Sequence, residues 1–115
     1  MAEHDLPELD VARVRRWCHQ RVPRHIRDKL RIECEPGPRY LTIVERTPLW
    51  RNDTDREWTR SPVARLRYTK TTRTWTLYWR DSSSRFHLYD RIAPAAHVDP
   101  LLQELDHDPT ALFWG

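Results

Sequence analysis

The chain has 115 residues, which suits one domain with a modest hydrophobic core, and its formal net charge is +3 at neutral pH. A hydrophobic content of 38% predicts a globular chain, and no apolar run is long enough to cross a membrane. The first ten residues are acidic where a signal peptide would be basic, so we expect a cytoplasmic protein.

The first predicted element is a helix from Pro7 to about Val22, because apolar side chains recur there at helical spacing. Its apolar stripe consists of Val11, Val14, Cys18 and Val22. Pro23 ends this helix, and residues 23–30 predict a second short helix or a 3₁₀ turn.

Alternating apolar and polar residues next predict two strands, at residues 30–35 and 40–46, joined by a Pro-Gly-Pro turn. Residues 47–62 are rich in polar turn formers and predict a long loop, anchored by Trp50 and Trp58. Loops of this length are uncommon in compact domains and often have a functional role.

Residues 63–89 predict a three-stranded antiparallel meander, around which the fold is organised. One pairing register places the large apolar side chains on a single face, and a slip of one residue would expose all of them. The predicted pairs are Tyr68 with Trp75, Leu66 with Leu77, Ala64 with Trp79, Trp79 with Phe86, and Leu77 with Leu88.

The opposite face of the meander carries basic and aromatic side chains and is the best candidate for a functional surface. Guanidinium groups provide forked donors for phosphate, and Tyr and His rings provide planes on which bases stack. This combination predicts binding of single-stranded nucleic acid or another polyanion. The alternative is an ordinary solvated or covered face, since strand propensity alone favours these residue types. The predicted ligand-binding residues are Arg65, Arg67, Tyr78, His87 and Tyr89, with Arg31 and Tyr40 as an extension.

The chain closes with a short helix and an apolar tail. We expect Asp99 to cap this helix, with Pro100 in its first position. Apolar residues at 112–114 predict that the tail docks on the body. Together the elements predict a single α+β domain over residues 1–115: an N-terminal helix, a short second helix, an antiparallel sheet of about five strands and a short C-terminal helix.

Charge is unevenly distributed along the chain. Residues 11–91 carry a net charge of +11, whereas residues 1–10 and 92–115 each carry −4. A basic middle segment indicates an anionic partner. The alternative is that the acidic ends fold back and neutralise it.

The sequence lacks the common catalytic and cofactor motifs. None of the six histidines forms an HxxxH pair and there is no CxxC, so we predict no metal site. Cys18 and Cys34 fall on apolar faces, where a thiolate is disfavoured, so we predict neither a catalytic cysteine nor a disulfide. With only two glycines the chain cannot form a glycine-rich phosphate loop, and we predict no cofactor.

Two further functions stay open, although we expect binding rather than catalysis. His87 acting as general acid and base beside Tyr78 would cleave RNA without a metal. Helices followed by a basic antiparallel sheet resemble the RelE-type ribonuclease toxins, but those begin with a strand that has no counterpart in this sequence. A protein-interaction module would instead use Trp50, Trp58 or the tail residues Phe113 and Trp114, because exposed aromatic residues anchor interfaces.

Three segments carry a resemblance to a known family: PVARLRY at 62–68, WTLYW at 75–79 and LFWG at 112–115. They resemble a small bacterial family of domains of unknown function, the DUF3024-like proteins, and the resemblance extends over nearly the whole chain. It implies a bacterial, single-domain, cytoplasmic protein. It implies no catalytic residue.

Overall fold

The computed structural model describes residues 6–49 and 57–114. Its helices are α1 at Glu8–Arg21 and α2 at Asp99–His107, with a 3₁₀ turn at Arg24–Ile26. Its strands are β1 at Arg31–Pro36, β2 at Tyr40–Arg46, β3 at Pro48–Leu49, β4 at Glu57–Trp58, β5 at Ser61–Thr69, β6 at Thr74–Arg80 and β7 at Phe86–Leu88. Strands β1, β2, β5, β6 and β7 form one antiparallel sheet in that order, and β3 pairs with β4. The predicted α+β class, with terminal helices and a five-stranded antiparallel sheet, is confirmed.

Both helices pack on one face of the sheet, which we call the inner face; the opposite side is the outer face. Leu41, Leu66 and Leu77 on the inner face are buried in one cluster with Val14 of α1 and Leu105 of α2. Because side chains alternate along a strand, the residues on either side of each leucine in its own strand lie on the outer face. Neither helix in the described part of the chain is long and apolar enough to cross a membrane.

A buried carboxylate joins α1, the sheet and α2. Asp10 is only 2% exposed. Its Oδ2 accepts a hydrogen bond from Trp75 Nε1 at 3.1 Å, and its Oδ1 accepts one from the backbone N–H of Val98 at 3.2 Å. Val98 occupies the N-cap of α2, so the expectation that Asp99 caps this helix is wrong by one residue. Asp10, from the other helix, binds the cap residue instead.

The predicted register between β5 and β6 is confirmed. Tyr68 pairs with Trp75, Leu66 with Leu77, and Ala64 with Trp79. The alternation of apolar residues was sufficient here because both strands carry one strongly apolar and one strongly polar face.

The predicted register between β6 and β7 is wrong by one residue. Trp79 pairs with His87, and Tyr78 pairs with Leu88. The connecting loop has three residues, 82–84, with Ser84 in the left-handed region at φ 66°. Asp81 holds it, since its Oδ1 accepts the backbone N–H groups of Ser83 and Arg85. A two-residue loop of type I′ would have required two left-handed residues, whereas the three-residue loop requires only Ser84 to be left-handed.

The register change exchanges the faces of β7. Phe86 and Leu88 lie on the outer face, and Leu88 is 53% exposed. His87 shares the inner face with Trp79, and Tyr89 donates its backbone N–H to Leu77 and is buried in the core. The prediction that His87 and Tyr89 lie beside the outer arginines is therefore wrong.

The segment predicted as a loop at 47–62 contains short strands. Pro48 pairs with Trp58 and Leu49 with Glu57, and β5 already begins at Ser61. Two-residue strands are too short to show a periodicity, which explains why the pattern predicted only a loop. Trp50 and residues 51–56 lie outside the described residues.

The apolar tail docks on the body, as predicted. Phe113 is buried, and its ring centre lies 5.0 Å from that of Tyr89. The Asp108 carboxylate accepts the backbone N–H groups of Phe113 and Trp114 at 3.2 and 2.9 Å. Trp114 also donates its indole N–H to the carbonyl of Leu105.

Candidate functional site

The outer face contains a cavity of about 440 Å³ between β2 and β7. Three of the five predicted ligand-binding residues line it, because Arg65 pairs directly with Tyr78 and Arg67 lies two positions further along β5. We call it the arginine pocket; its lining residues are Pro38, Arg39, Tyr40, Arg65, Arg67, Tyr78 and Phe86. Tyr40, predicted as an extension of the binding surface, lines the same pocket.

Arg65 is held between two aromatic rings at the centre of the pocket. Its guanidinium carbon lies 4.1 Å from the centre of the Tyr40 ring, from the β2 side, and 4.1 Å from that of Phe86, from the β7 side. Its Nε donates a hydrogen bond to Thr42 Oγ1 at 3.2 Å. With both faces stacked and Nε bound, the terminal Nη groups remain for a ligand. This arrangement presents the guanidinium edge as a fork, the geometry that binds carboxylate or phosphate.

The Tyr40 ring owes its position to a glycine in the preceding turn. Gly37 donates its backbone N–H to the carbonyl of Tyr40 at 2.7 Å. The ring packs so closely on Gly37 that any Cβ there would overlap the ring atoms. The absence of a side chain at Gly37 therefore lets Tyr40 lean over Arg65.

The β1 side of the outer face is electrostatically neutralised. Arg46 forms ion pairs with Glu33 and Glu35 at 2.5 and 2.7 Å, and Arg60 pairs with Glu35 at 2.5 Å. The hydrogen bonds from Arg60, together with the charges of Arg60 and Arg46, lower the pKa of Glu35. Arg31, the other predicted extension, stacks on Trp58 at 4.0 Å instead of reaching the pocket.

Unlike the neutralised β1 side of the outer face, the arginine pocket carries uncompensated positive charge. No acidic side chain of residues 6–49 or 57–114 lines it, and within those residues Arg39, Arg65 and Arg67 form no ion pair. Arg39 and Arg67 are exposed, whereas Arg65 is half-buried. Three cationic groups therefore converge on one cavity without a neutralising partner in the described chain, which favours an anionic ligand.

His87, predicted as a ligand-binding and alternatively as a catalytic residue, lies on the inner face near its edge. Its Nε2 is 2.6 Å from Asp81 Oδ2, and its ring centre is 4.9 Å from that of Trp79. The hydrogen bond with His87, followed by that from the backbone N–H of Arg85, lowers the pKa of Asp81 to about 2. These contacts fix the end of the β6–β7 hairpin.

Tyr89, the fifth predicted residue, belongs to the core. It is 2% exposed, and its hydroxyl donates a hydrogen bond to Glu104 Oε2 at 2.5 Å. Burial, followed by the hydrogen bond to that carboxylate, raises the pKa of Tyr89. Tyr89 therefore joins the sheet to α2 rather than contacting a ligand.

The sequence interpretation missed Arg39 and Phe86 as pocket residues. Phe86 was assigned to the core because the predicted register of β7 was wrong. The signal that could have found it is Asp81, since an aspartate before Ser-Ser-Ser is a typical start of an Asx turn with an odd-numbered loop. Arg39 lies in the turn before β2, where alternation gives no information.

A larger cavity, of about 570 Å³, lies between α1 and β1, but several of its charged groups already have partners. Arg27 donates to two backbone carbonyls at the end of α1, those of His19 and Val22. Arg46 is paired with Glu33 and Glu35, which also line the cavity. Its lining is thus mixed in charge, and the smaller arginine pocket is the better candidate for binding an anion.

The two cysteines line this larger cavity as free thiols. Burial is the main cause that raises the pKa of Cys18 to about 12 and that of Cys34 to about 11. Both side chains are therefore protonated at neutral pH and are poor nucleophiles. In the described part of the chain, no group of three or more His, Cys, Asp or Glu side chains is arranged to hold a metal ion.

Comparison with known proteins agrees with the resemblance seen in the sequence. A family model described as "Domain of unknown function (DUF3024)" matches residues 1–115. No curated protein and no solved structure matches the chain.

Proposed function

Because the chain belongs over its whole length to the DUF3024 family, a domain of unknown function, we propose a function from its surface chemistry: binding of single-stranded nucleic acid or another polyanion at the outer face. The observation that supports this proposal is the arginine pocket. Arg65 is oriented edge-on by Tyr40 and Phe86, and Arg39 and Arg67 flank it.

The surroundings of the pocket favour nucleic acid over a simple anion. Tyr78 lines the pocket and Leu88, directly opposite it on β7, is exposed on the same face. A phenol ring beside an exposed aliphatic side chain offers an apolar surface on which a base can stack, next to donors for the phosphate. Single-strand binders with antiparallel sheets combine aromatic and basic residues in the same way.

The proposal is tested by the salt dependence of binding to a labelled single-stranded oligonucleotide. Removing two phosphate contacts with Arg65→Ala and Arg67→Ala should weaken binding and reduce the slope of log K against log salt by about 1.4. The matched control removes the same two charges elsewhere, with Arg16→Ala in α1 and Arg24→Ala in the 3₁₀ turn, both exposed. Its slope should stay near that of the parent.

A second variant guards against misfolding, because Arg65 is half-buried and packed between two rings. Arg39→Ala with Arg67→Ala changes only exposed side chains and should weaken binding similarly. The proposal is abandoned if the parent protein binds no oligonucleotide at low salt. It is also abandoned if the control loses as much affinity as the pocket variants.

The two alternative functions stay predictions. Ribonuclease activity was inferred from His87 beside Tyr78, and these residues lie on opposite faces of the sheet, so no observation now favours it. The interaction module relied on Trp50, which lies outside the described residues, and on Trp58, which is covered by Arg31. That the protein is bacterial and cytoplasmic also stays a proposal. The two free thiols support a reducing compartment.

A further inference from the structure

We infer that the arginine pocket recognises a phosphomonoester, the terminal phosphate of a nucleic-acid strand, in preference to the phosphodiesters within it. This inference rests on the proposed function, because it specifies which part of a nucleic acid enters the pocket. Its basis is the way positive charge is distributed over the outer face.

Positive charge on the outer face is focal rather than linear. A protein that follows a strand needs successive cations along a groove. Here Arg46 and Arg60, towards β1, are neutralised by Glu33 and Glu35. Arg39, Arg65 and Arg67, which have no carboxylate partner in the described chain, converge instead on one cavity, whereas Arg31 stacks on Trp58 and Arg80 donates to Ser84. A single, highly charged group matches this arrangement better than a row of singly charged ones.

The orientation of Arg65 also indicates one discrete anion. The Tyr40 and Phe86 rings each lie 4.1 Å from its guanidinium carbon, and Thr42 Oγ1 accepts the hydrogen bond from its Nε. The remaining fork can donate two parallel hydrogen bonds to one phosphate group. The exposed side chains of Arg39 and Arg67 are free to approach the same phosphate from the rim.

The charge of the ligand distinguishes the two kinds of phosphate. A phosphomonoester carries about −1.5 to −2 near neutral pH and has three unesterified oxygens, whereas a diester carries one negative charge. The monoester offers three unesterified oxygens to the donors of three arginines and a charge that offsets more of theirs. A diester offers two such oxygens and one charge, so it satisfies the same cluster less completely.

The apolar surface beside the pocket fits the nucleoside to which a terminal phosphate is attached. Tyr78 forms one wall, and Leu88 lies across from it on β7 with 53% of its surface exposed. A terminal nucleotide could therefore place its phosphate on the arginines and its base on this surface. The chain would continue away from the pocket.

The test compares four probes with the full-length protein: an oligothymidylate of about six nucleotides with a 5′-phosphate, the same strand with a 3′-phosphate, the unphosphorylated strand, and thymidine 5′-monophosphate. We expect at least one phosphorylated strand to bind about tenfold more tightly than the unphosphorylated one, the equivalent of one further charge-assisted hydrogen bond. Arg39→Ala with Arg67→Ala should abolish this preference. The charge-matched control, Arg16→Ala with Arg24→Ala, should retain it.

Lowering the pH provides an independent readout. Since the second pKa of a phosphomonoester is about 6, its charge falls towards −1 at about pH 5. The preference for the phosphorylated strand should therefore shrink several-fold at the lower pH. An unchanged preference would contradict recognition of the dianion.

The outcomes separate this inference from the proposed function. Equal affinity for all three strands overturns the inference and leaves single-strand binding intact. No affinity for any strand, with tight binding of the monophosphate, supports the phosphomonoester site and overturns the proposed strand binding. No affinity for any of the four probes overturns both.

Discussion

Replacement of the buried Asp10 by asparagine tests how the helices are joined to the sheet. Both carboxylate oxygens accept hydrogen bonds, from Trp75 Nε1 at 3.1 Å and from the backbone N–H of Val98 at 3.2 Å. An asparagine offers one oxygen and one NH₂ group, so one of the two donors would face another donor. The change keeps the size of the side chain, and its effect therefore reports on hydrogen bonding rather than on packing.

The expected decrease in the free energy of unfolding has two sources, the loss of one hydrogen bond to a charged group and the burial of an unsatisfied donor. Each contributes of the order of 1.5–2 kcal/mol, so we expect the free energy of unfolding to fall by about 3 kcal/mol. For a domain of this size that corresponds to a decrease in Tm of roughly 10 °C. Urea denaturation monitored by tryptophan fluorescence measures the free energy, and a thermal scan measures Tm.

The matched control is Asp99→Asn, which removes the same charge from an exposed aspartate in the first turn of α2. Its only ion pair in the described chain is a distant one to Arg13, at 3.8 Å, and we expect a change below about 0.5 kcal/mol. A double-mutant cycle with Trp75→Phe should give a coupling energy of about 1 kcal/mol or more between Asp10 and Trp75. The reasoning is refuted if the Asp10 variant is no less stable than the Asp99 control.

Three further predictions address the pocket, the hairpin and the core. Gly37→Ala should displace the Tyr40 ring, so that Arg65 must be ordered when the ligand binds; a cost of about 1 kcal/mol would weaken oligonucleotide binding about fivefold, and unchanged affinity by fluorescence anisotropy would contradict it. The folded-state pKa of Asp81 is lowered to about 2, so its contribution to stability is present above the ordinary carboxyl pKa and lost as pH falls towards 2. The urea midpoint should therefore fall more between these pH values in the parent than in Asp81→Asn. Equal decreases in the two proteins would contradict a stabilising contribution from the Asp81–His87 pair. Tyr89→Phe removes one hydrogen bond to Glu104 and should cost about 1.5 kcal/mol without affecting binding; a binding defect in a folded variant would return Tyr89 to the site.

Part of the candidate site could be read from the sequence because one strand pair is unambiguous. In β5 and β6, large apolar residues alternate with arginine, threonine and tyrosine, so a single register satisfies both strands. That register places Arg65 beside Tyr78, and Arg67 on the same face. The order and approximate limits of the helices and of the five strands followed from the same kind of local pattern.

The third strand shows where such patterns fail. In residues 86–89, Phe86 and Leu88 alternate with His87 and Tyr89, and either pair can face a core. Periodicity tells which residues share a face but not which of the two faces is inside. That choice depends on whether the loop has two or three residues, and the Asp81 side chain decides it through the backbone N–H groups that it binds.

The sequence by itself determined the order of the two helices and of the five strands of the main sheet, the apolar face of β5 and β6, and the pairing of Arg65 with Tyr78, because these depend on residues close together along the chain. Only the tertiary structure decided that Tyr40 and Phe86 lie on either side of Arg65. These two residues are 46 positions apart in the chain, and the strand order of the sheet and the β6–β7 loop bring their rings to Arg65. The same holds for the hydrogen bonds that Asp10 accepts from Trp75 and from the backbone of Val98, both far along the chain. Contacts between distant segments are set by the way the faces pack, and no local pattern encodes them.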